Sequence, residues 1–471
     1  MITLKENITV SKPPGEVFRY VSDFRNIAEW DPGVTESIKE NAGPVNVGTR
    51  YRLKLRYGIL PIAMKYTVKE YDINHKVVLE GRGESFQATD TLLFFPHDRG
   101  TRIEYRADLD FSGLGARVAP LFKGVLRRIG KNAVNGLKQA LDRDVSAPKI
   151  SAASLLLDRS IVGGMIGFTS VGFRLNRKFW NPMPSSLEGR TAVITGATSG
   201  IGKVAALRMS ELGARIALVA RDAEKARLTK KWISDATGNP DIEIYMADMG
   251  RVREISRLVD HLNQNESSID ILVNNAGALY NERLETDEGI EKTLATDLLG
   301  PFVLTRGLIP KLKQSSPSRV INVSSGGMYT QKINVNDLQF RDEPFDGAKA
   351  YARAKRGLVI LTEIWAEQLK DSHVSVHAMH PGWVRTPGIK QSLPRFYEFT
   401  DRVLRTPDQG ADTIVWLAAA PEAALTTGKF WLDRMPRVTH VLPNTGESEQ
   451  ERRILWQELS RLSDRLNGKR T

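Results

Sequence analysis

The amino-acid sequence predicts an α/β fold in which a doubly wound parallel sheet forms the C-terminal part of the chain and a smaller α+β domain precedes it. Three observations predict this organisation. From Gly189 onward, apolar strand-like segments alternate with helical segments, as in a parallel sheet covered by helices on both faces. A glycine-rich turn follows the first of these strands. Before residue 145, strands of alternating polarity lead into one long amphipathic helix, which indicates an antiparallel sheet.

Length and composition indicate a folded, two-domain protein and exclude several classes of function. The chain has 471 residues, of which 41% are hydrophobic and 26% charged, so sizeable cores can form. It contains no cysteine, which excludes disulfides, thiolate metal sites and cysteine nucleophiles. The formal charge of +12 is scattered, without a nucleic-acid-binding motif. The N-terminus lacks a signal-peptide pattern, so we expect a cytoplasmic protein.

Residues 1–145 predict an antiparallel sheet covered by a terminal helix. Apolar and basic side chains alternate over Thr49–Tyr57, as in a strand with one buried face. Between about Ala116 and Arg143, apolar residues recur at steps of three and four, which predicts a helix with one apolar face. A helix lying in a curved sheet encloses either an apolar cleft or a solid core.

Residues 146–187 form a connector with an uncharged stretch between Ser160 and Phe173. The stretch is too short and too rich in glycine to span a membrane, which takes roughly 20 apolar residues. Basic residues, among them Arg159 and Arg174, flank it. We expect the connector to pack against the domain that follows, and shallow seating on an anionic membrane surface is the alternative.

Residues 188–440 predict seven strands alternating with helices, the order of a doubly wound dinucleotide fold. The predicted strands are Thr191–Thr195, Arg215–Ala220, Glu243–Ala247, Ile269–Val273, Arg319–Val323, Val374–Met379 and Lys429–Leu432. Residues 441–471 predict a further amphipathic helix, because Leu455, Leu459, Leu462 and Leu466 share one face. Docking of the helix on the domain, or self-association of the protein, would explain why the helix has an apolar face.

The turn after the first strand predicts a phosphate-binding loop. The segment Thr195–Gly202 runs from a strand into a helix. Glycines let the backbone approach a pyrophosphate closely, and the helix N-terminus adds free N–H groups and a positive dipole end. The candidate cofactor contacts in this turn are Gly196, Ser199, Gly200, Ile201 and Gly202.

Arg221 ends the second predicted strand, where a fold that prefers NAD has an acidic residue against the ribose hydroxyls. An arginine there can pair with the 2′-phosphate of NADP, and Lys203 could add a second positive charge. The alternative is an ordinary surface arginine, since Asp222 is its neighbour. We therefore predict NADP(H) as the cofactor, ahead of NAD(H).

Four further segments follow in order, each at a strand end or on the next helix. They are Asn274–Gly277, Ser324–Ser325, Tyr351–Lys355 and His380–Thr386. With the glycine-rich turn they resemble the short-chain dehydrogenase/reductase family, whose TGxxxGxG, NNAG, serine, YxxxK and PG motifs occur here in the same order. The long insert before Tyr351 is similar to the retinol-dehydrogenase-like branch, and LDRMPRVTHVLP to the branch of dehydrogenase/reductase member twelve. The resemblance implies a Rossmann fold and an NAD(P)-dependent oxidoreductase acting on CH–OH groups.

The resemblance also implies a role for each motif. Tyr351 would be the acid/base that exchanges a proton with the substrate oxygen. Lys355, one helical turn away, would favour the phenolate and hold the nicotinamide ribose, so both residues also contact the cofactor. Ser325 would hydrogen-bond the substrate oxygen. The further implied cofactor contacts are Asp248 at the adenine, the backbones of Asn275 and Ala276, and Val384 and Thr386 on the nicotinamide and phosphate side.

Asp297 departs from the family pattern, which usually has asparagine at this position. That asparagine helps to hold a water linked to the lysine. An ionised aspartate would stabilise the Lys355 cation and oppose the Tyr351 phenolate. We therefore count Asp297 among the catalytic positions and expect it to reduce the activity or to shift its pH dependence.

The N-terminal part resembles the START-like superfamily (SRPBCC, polyketide cyclase and lipid transfer), through the opening VSKPPGEVFRYVSDFRNIAEWDPGV, the sheet and the terminal helix. The resemblance implies a helix-grip domain that holds a ligand. One hypothesis is an enzyme that converts an apolar, lipid-, retinoid- or polyketide-like substrate held by this domain. The alternative is a weakly catalytic or non-catalytic lipid-binding or transfer protein with a cofactor-sensing Rossmann domain.

The expected partner is an apolar small molecule, and no nucleic acid or metal is expected. Peripheral membrane contact and homo-oligomer formation stay open. Three histidines, His373, His377 and His380, lie close in sequence but lack acidic partners at ligand spacing. We therefore predict that they are core or rim residues.

Overall fold

The computed structural model describes residues 2–41, 45–56, 61–83, 86–97, 100–111, 123–142, 147–150, 166–177, 180, 186–442 and 445–468. The chain divides into two compact units near residue 145.

The first unit is an antiparallel sheet with a helix against one face. Its strands are β1 (Ile2–Val10), β2 (Val34–Lys39), β3 (Arg50–Arg56), β4 (Pro61–Asp72), β5 (Lys76–Arg82), β6 (Phe86–His97) and β7 (Gly100–Phe111), in the spatial order β1-β7-β6-β5-β4-β3-β2. Its helices are α1 (Pro14–Ser22), a 3-10 turn (Phe24–Asn26), α2 (Ile27–Trp30) and α3 (Lys123–Leu141). The predicted helix-grip class is confirmed; the predicted start of the last helix, at residues 116–122, lies outside the described residues.

The core of this unit is mostly apolar and includes a buried carboxylate, Asp90. Ala133, Leu137 and Leu141 of α3 pack into it, as their spacing predicts. Asp90, on the inner face of β6, accepts a hydrogen bond from the Tyr105 hydroxyl at 2.6 Å. Burial raises the pKa of Asp90 to about 6, against the opposing effect of the tyrosine hydrogen bonds. The acid therefore lies in a mostly apolar interior with tyrosine partners.

The second unit is a parallel sheet of Rossmann type with helices on both faces. Its strands are β8 (Thr191–Thr195), β9 (Arg215–Ala220), β10 (Ile242–Met246), β11 (Ile271–Asn274), β12 (Ser318–Val323), β13 (Val374–Met379), β14 (Lys429–Leu432) and β15 (Met435–Arg437), in the spatial order β10-β9-β8-β11-β12-β13-β14-β15. Its helices are α4 (Ser170–Arg177), α5 (Gly200–Glu211), α6 (Ala223–Thr237), α7 (Val252–Asn265), α8 (Lys292–Leu294), α9 (Gly300–Leu312), α10 (Gly347–Gln368), α11 (Pro387–Ser392), α12 (Pro394–Thr400), α13 (Pro407–Ala419), α14 (Pro421–Ala424) and α15 (Glu449–Leu466). A π-helical turn (Ala295–Leu299) and two 3-10 turns (Gly326–Thr330 and Asp401–Val403) complete it.

All seven predicted strands are present, with bounds that shift by one or two residues at β10, β11 and β12. The sequence prediction lacks the eighth strand, β15, which pairs antiparallel with β14. Asp433 and Arg434 form the turn between them with φ angles of 55° and 57°. Three residues are too few to show a strand period, and neither turn residue is the glycine that such angles favour.

Residues 166–177 of the connector belong to the second unit. Phe173 of α4 is buried, whereas Val171 and Leu175 on the same helix are exposed. None of the helices within the described ranges is long and apolar enough to cross a membrane. Seating of the connector on a membrane surface stays a prediction.

The last helix, α15, is an integral part of the second core. Leu455, Leu459 and Leu462 are buried in the same apolar cluster as the central sheet. Ser448 and Glu451 form a reciprocal capping box at its start. The predicted apolar face therefore docks on the domain.

Replacing Leu459 by alanine should lower the free energy of unfolding by about 2–5 kcal/mol, because the smaller side chain leaves a cavity in a packed core. Urea unfolding of the full chain would measure the change. Gln457→Ala, an exposed position on the same helix, is the matched control and should stay within about 0.5 kcal/mol. Equal effects of the two variants would contradict the docking of α15.

Candidate active site

The candidate residues meet at one edge of the second sheet. Parallel strands end at the same edge, and β8, β9, β11, β12 and β13 are all parallel neighbours. The glycine-rich turn follows β8, Arg221 follows β9, Asn275 follows β11 and Ser325 follows β12. Ligands of open α/β sheets bind at this edge.

The glycine-rich turn is built around close backbone contacts. Gly196 has a φ of 64°, and a Cβ at this position would lie 2.9 Å from the Ala276 Cα. A Cβ at Gly202 would lie 2.3 Å from the Asn275 side-chain nitrogen. The Thr195 hydroxyl accepts hydrogen bonds from the N–H groups of Asn275 and Ala276, both at 3.0 Å. Only glycine fits here, and the resulting cradle suits the backbone approach of a pyrophosphate.

The segment after β13 lies beside the same turn. A Cβ built on Gly200 would lie 3.2 Å from Thr386 Cγ2. Val384 is buried and forms a parallel bridge with Arg405. Ser199 is the N-cap residue of α5, and half-buried Ile201 forms its first turn. The predicted nicotinamide-side residues therefore neighbour the predicted phosphate loop.

Arg221 and Asp248 line one cavity of about 190 Å³ together with Tyr280, Lys292 and Thr296. Arg221 is exposed. The neighbouring Asp222 pairs with Lys225 at 3.3 Å. Lys203 lies over the Trp232 ring, 4.2 Å from its centre. The cavity at the ends of β9 and β10 thus combines basic side chains with carboxylates, since Arg251, Glu285 and Asp287 line it as well.

Tyr351, Lys355 and Ser325 form a cluster. Tyr351 and Lys355 lie one turn apart on α10, with the lysine ammonium 5.5 Å from the centre of the tyrosine ring. Ser325 lies beside the Tyr351 hydroxyl and acts to lower the pKa of that hydroxyl. The Ser325 hydroxyl also accepts a hydrogen bond from the Gly327 N–H at 3.2 Å. The phenol, the ammonium group and the serine hydroxyl therefore lie close together.

Asp297 joins this cluster from the π-helical turn Ala295–Leu299, a type of turn that is frequent at functional sites. Its carboxylate lies 2.8 Å from the Lys355 ammonium, and the two side chains are 0% and 3% exposed. It also accepts a hydrogen bond from the Ala278 N–H at 3.2 Å. Lys355 donates in addition to the Val323 carbonyl at 3.1 Å. The lysine is therefore held from two sides.

Gly277 leaves the space that this ion pair occupies. A Cβ at Gly277 would lie 2.5 Å from Asp297 Oδ1 and 3.0 Å from Lys355 Nζ. Because Gly277 follows Ala276, the same short loop contacts both the cradle and the ion pair.

The buried charges act on Tyr351 in opposite directions. Burial raises the pKa of Tyr351, the Lys355 charge opposes this effect, and the Asp297 charge adds to it. Burial alone would lower the pKa of Lys355, but the Asp297 and Tyr351 charges outweigh it and raise that pKa. Lys355 therefore stays protonated. The phenolate of Tyr351 is harder to form than it would be beside Lys355 without Asp297.

A buried chain of amides, which the sequence analysis missed, connects the site to the sheet. The Asn274 side chain donates to Thr305 Oγ1 at 2.9 Å and to Asn322 Oδ1 at 2.8 Å. Asn322 donates in turn to Thr362 Oγ1 on α10 at 2.8 Å. Polar residues inside two apolar strands are the only signal of it in the sequence.

The three histidines do not form a metal site. His377 and His380 are buried, whereas His373 is exposed. His377 Nδ1 accepts a hydrogen bond from the Trp431 indole at 3.1 Å, and burial lowers its pKa to about 4. Across the described ranges, no group of three or more His, Asp or Glu side chains is placed to hold a metal ion.

Comparison with known proteins agrees with this geometry. Residues 190–395 match the family model described as short chain dehydrogenase, and residues 1–142 match the model described as polyketide cyclase / dehydrase and lipid transport. Dehydrogenase/reductase SDR family member 12 of Homo sapiens is 41% identical over 310 residues, which cover 63% of this chain and 96% of that protein. Retinol dehydrogenase 13 of Mus musculus is 31% identical over 316 residues, 65% of this chain and 93% of that protein. A Streptomyces sp. (strain C5) protein, provisionally named daunorubicin C-13 ketoreductase DnrU, is 36% identical over 248 residues, 53% of this chain and 84% of that protein.

The glycine cradle and the tyrosine, lysine and serine cluster at the edge of a Rossmann sheet define an NAD(P)-dependent oxidoreductase acting on CH–OH groups. With the relatives above, they establish that the chain belongs to the short-chain dehydrogenase/reductase family, with an N-terminal domain of the polyketide cyclase type.

Asp297→Asn should shift the pH profile of alcohol oxidation to lower pH. The aspartate charge raises the pKa of Tyr351, so its removal lowers that pKa and the phenolate base forms at a lower pH. The pH dependence of kcat/KM for oxidation reports the free enzyme and would measure the shift. Asp371→Asn, an exposed control, should leave the profile unchanged. A profile of Asp297→Asn that stays in place or moves to higher pH would contradict the assigned coupling.

Proposed function

We propose that the chain is an NADP(H)-dependent oxidoreductase that interconverts a carbonyl and an alcohol on an apolar substrate. The observation that carries the proposal is the cluster of half-buried Tyr351 and Ser325 with the buried pair of Lys355 and Asp297, beside the glycine cradle. A proton-exchanging hydroxyl, a fixed cation and a hydrogen-bonding hydroxyl are what carbonyl reduction needs from a protein.

When bound, the nicotinamide of the cofactor supplies or accepts the hydride at the substrate carbon. Tyr351 donates its phenolic proton to the substrate oxygen in reduction and takes the proton back in oxidation. Ser325 hydrogen-bonds the same oxygen and stabilises its developing negative charge. Lys355 stabilises the phenolate form of Tyr351 through its charge. Asp297 keeps the lysine charged and weakens that stabilisation.

Tyr351→Phe should lower kcat by about 10²–10⁴-fold, because the variant loses its general acid/base. Steady-state oxidation of NADPH in the presence of lipophilic aldehydes and ketones would measure the loss. Tyr245→Phe is the matched control, since it removes a hydroxyl that donates to Glu266 at 2.6 Å in the core, away from the cluster. Turnover that survives in Tyr351→Phe would refute the proposed role.

The preference for NADP(H) is supported by Arg221 in its cavity. Asp222, the residue that could neutralise it from the neighbouring position, pairs with Lys225 instead. A positive guanidinium at the end of β9 favours a 2′-phosphate over a bare ribose hydroxyl.

Arg221→Ala should weaken NADPH binding by about 10–100-fold, the loss of one hydrogen bond to a charged group. NADH binding should change little, because NADH lacks the 2′-phosphate. Fluorescence titration with both cofactors would separate the two effects. Arg227→Ala removes the same charge from an exposed position that pairs with Glu224 at 2.8 Å and is the control. Parallel losses for both cofactors would count against a phosphate contact.

The apolar substrate class is supported by the names of the relatives and by the N-terminal unit. Two of these names refer to retinol and to a daunorubicin ketone, and the family matched by residues 1–142 is described by polyketides and lipid transport. The mostly apolar core of that unit, with buried Asp90 and its tyrosine partner, suits an apolar ligand with one polar group. Homo-oligomer formation and contact of the connector with a membrane surface belong to the same proposal.

Asp297 favours a second candidate function, a lipid-binding protein whose Rossmann unit senses the cofactor without efficient turnover. Its charge raises the pKa of the residue that must act as base. One assay distinguishes the two functions. NADPH binding with turnover that depends on Tyr351 supports the oxidoreductase, and NADPH binding without turnover of any lipophilic carbonyl supports the carrier.

A further inference from the structure

The connector reaches the candidate active site through one aromatic side chain. Phe168 lies outside the family-matched segment 190–395. A Cβ built on Gly326, the residue after Ser325, would lie 2.9 Å from Phe168 Cε2. The Phe168 ring also stands edge-on to His380, with 4.4 Å between the ring centres. It therefore contacts two loops that follow adjacent strands of the site.

Hydrogen bonds hold the backbone around Phe168 in place. The Phe168 carbonyl accepts a hydrogen bond from the Trp383 N–H at 2.7 Å. The carbonyls on either side, those of Gly167 and Thr169, accept hydrogen bonds from the Arg405 guanidinium at 2.6 and 3.2 Å. Three successive carbonyls are thus bound, so this part of the connector is a fixed component of the unit.

Arg405 is itself fixed. Its side chain is 1% exposed and pairs with Asp433 through two contacts of 2.6 and 2.8 Å. A Cβ at Gly382, whose φ is 81°, would lie 2.3 Å from Arg405 Nε. The loop that begins with Pro381 and Gly382 therefore packs directly on the arginine that holds the connector.

The His380 ring, which contacts Phe168, is neutral. Its Nδ1 accepts a hydrogen bond from the Gly326 N–H at 3.1 Å, which leaves the ring proton on Nε2. That nitrogen is buried without a hydrogen-bond partner among the described residues. Burial lowers the pKa of His380 to about 3. The ring that backs Phe168 is therefore uncharged, and it is suited to an apolar neighbour.

The aromatic contact continues along the surface of the site. Phe168 lies 5.9 Å from Trp383, and Trp383 lies 5.2 Å from Phe396 on α12 (centre to centre). All three residues are half-buried, so part of each is accessible to a ligand. Together they extend from the residue after Ser325 to α12, and we name them the aromatic wall.

We propose that Phe168 determines substrate specificity: the connector supplies the first ring of an aromatic wall that selects apolar carbonyl substrates by their size. The inference rests on the proposed function, since it concerns the substrate of the same site. Rigid aromatic rings next to the hydroxyl that binds the carbonyl oxygen favour flat or extended apolar groups over small polar ones.

The test compares full-length variants on a series of aldehydes and ketones of increasing size, with NADPH titration and thermal unfolding as controls. Phe168→Ala should change the ratio of kcat/KM between bulky and small substrates by about 10–200-fold in favour of the bulky ones, the range for altered volume in an apolar pocket. Phe168→Trp should move the ratio in the opposite direction. Val171→Ala, at a position that is 46% exposed on the adjacent helix, should leave it unchanged.

Equal losses for all substrates in Phe168→Ala and Phe168→Trp would overturn the inference, because they indicate a purely structural role. An equal effect of Val171→Ala would also overturn it. If Phe168→Ala does not fold, Phe168→Trp and Phe168→Leu retain a large apolar side chain and carry the comparison. Absence of turnover by the unsubstituted protein would refute the proposed function, whereas turnover with unchanged selectivity would refute the inference alone.

Discussion

The site depends on the parallel register of the central strands. Asn274 is opposite Asn322, and Val323 is opposite Met379, so the loops after β11, β12 and β13 begin at the same height. The amides of Asn274 and Asn322 strengthen this register by hydrogen bonds that end on Thr362 of α10. Because α10 also carries Tyr351 and Lys355, the buried amides fix the position of these two residues relative to the strand ends. The hydrogen bonds that the two amide nitrogens make have few alternative partners in an apolar core, which makes this arrangement specific.

The buried charges of Lys355 and Asp297 compensate each other inside the site. Lys355 is a buried cation, and burial of an unpaired cation is costly, so Asp297 and the Val323 carbonyl stabilise it. The same aspartate raises the pKa of Tyr351 and so opposes the effect of the lysine charge on the tyrosine. One carboxylate therefore stabilises the buried lysine and makes the phenolate of Tyr351 harder to form. Gly277, which has no side chain, leaves the space that the carboxylate occupies.

The sequence predicted those parts of the structure that repeat or that carry a spaced motif. The seven strands showed apolar runs bounded by turns, and the motif residues followed strand ends, so their meeting at one edge was a consequence of parallel topology. Interactions between residues distant in sequence were not visible in this way. The π-helical turn around Asp297, the Arg405–Asp433 pair and the contact of Phe168 with Gly326 each join segments whose proximity depends on the complete fold. The turn at Asp433 and Arg434 was missed because residues with side chains adopt there the backbone conformation that favours glycine.

The hydrogen bonds between Arg405 and the connector determine where the Rossmann unit can be separated from the rest of the chain. A protein cut at residue 190, where the match to the family begins, would lack the carbonyls of Gly167 and Thr169 and the side chain of Asn176, which donates to Asp433 at 2.9 Å. The buried guanidinium would lose part of its hydrogen bonding, and Phe173, whose ring lies 5.3 Å from it, would no longer shield it from water. Domain exchange between this chain and its relatives therefore has to carry the segment from residue 166 onward together with the Rossmann unit. This segment belongs to that unit physically, although it precedes the family motifs in the chain.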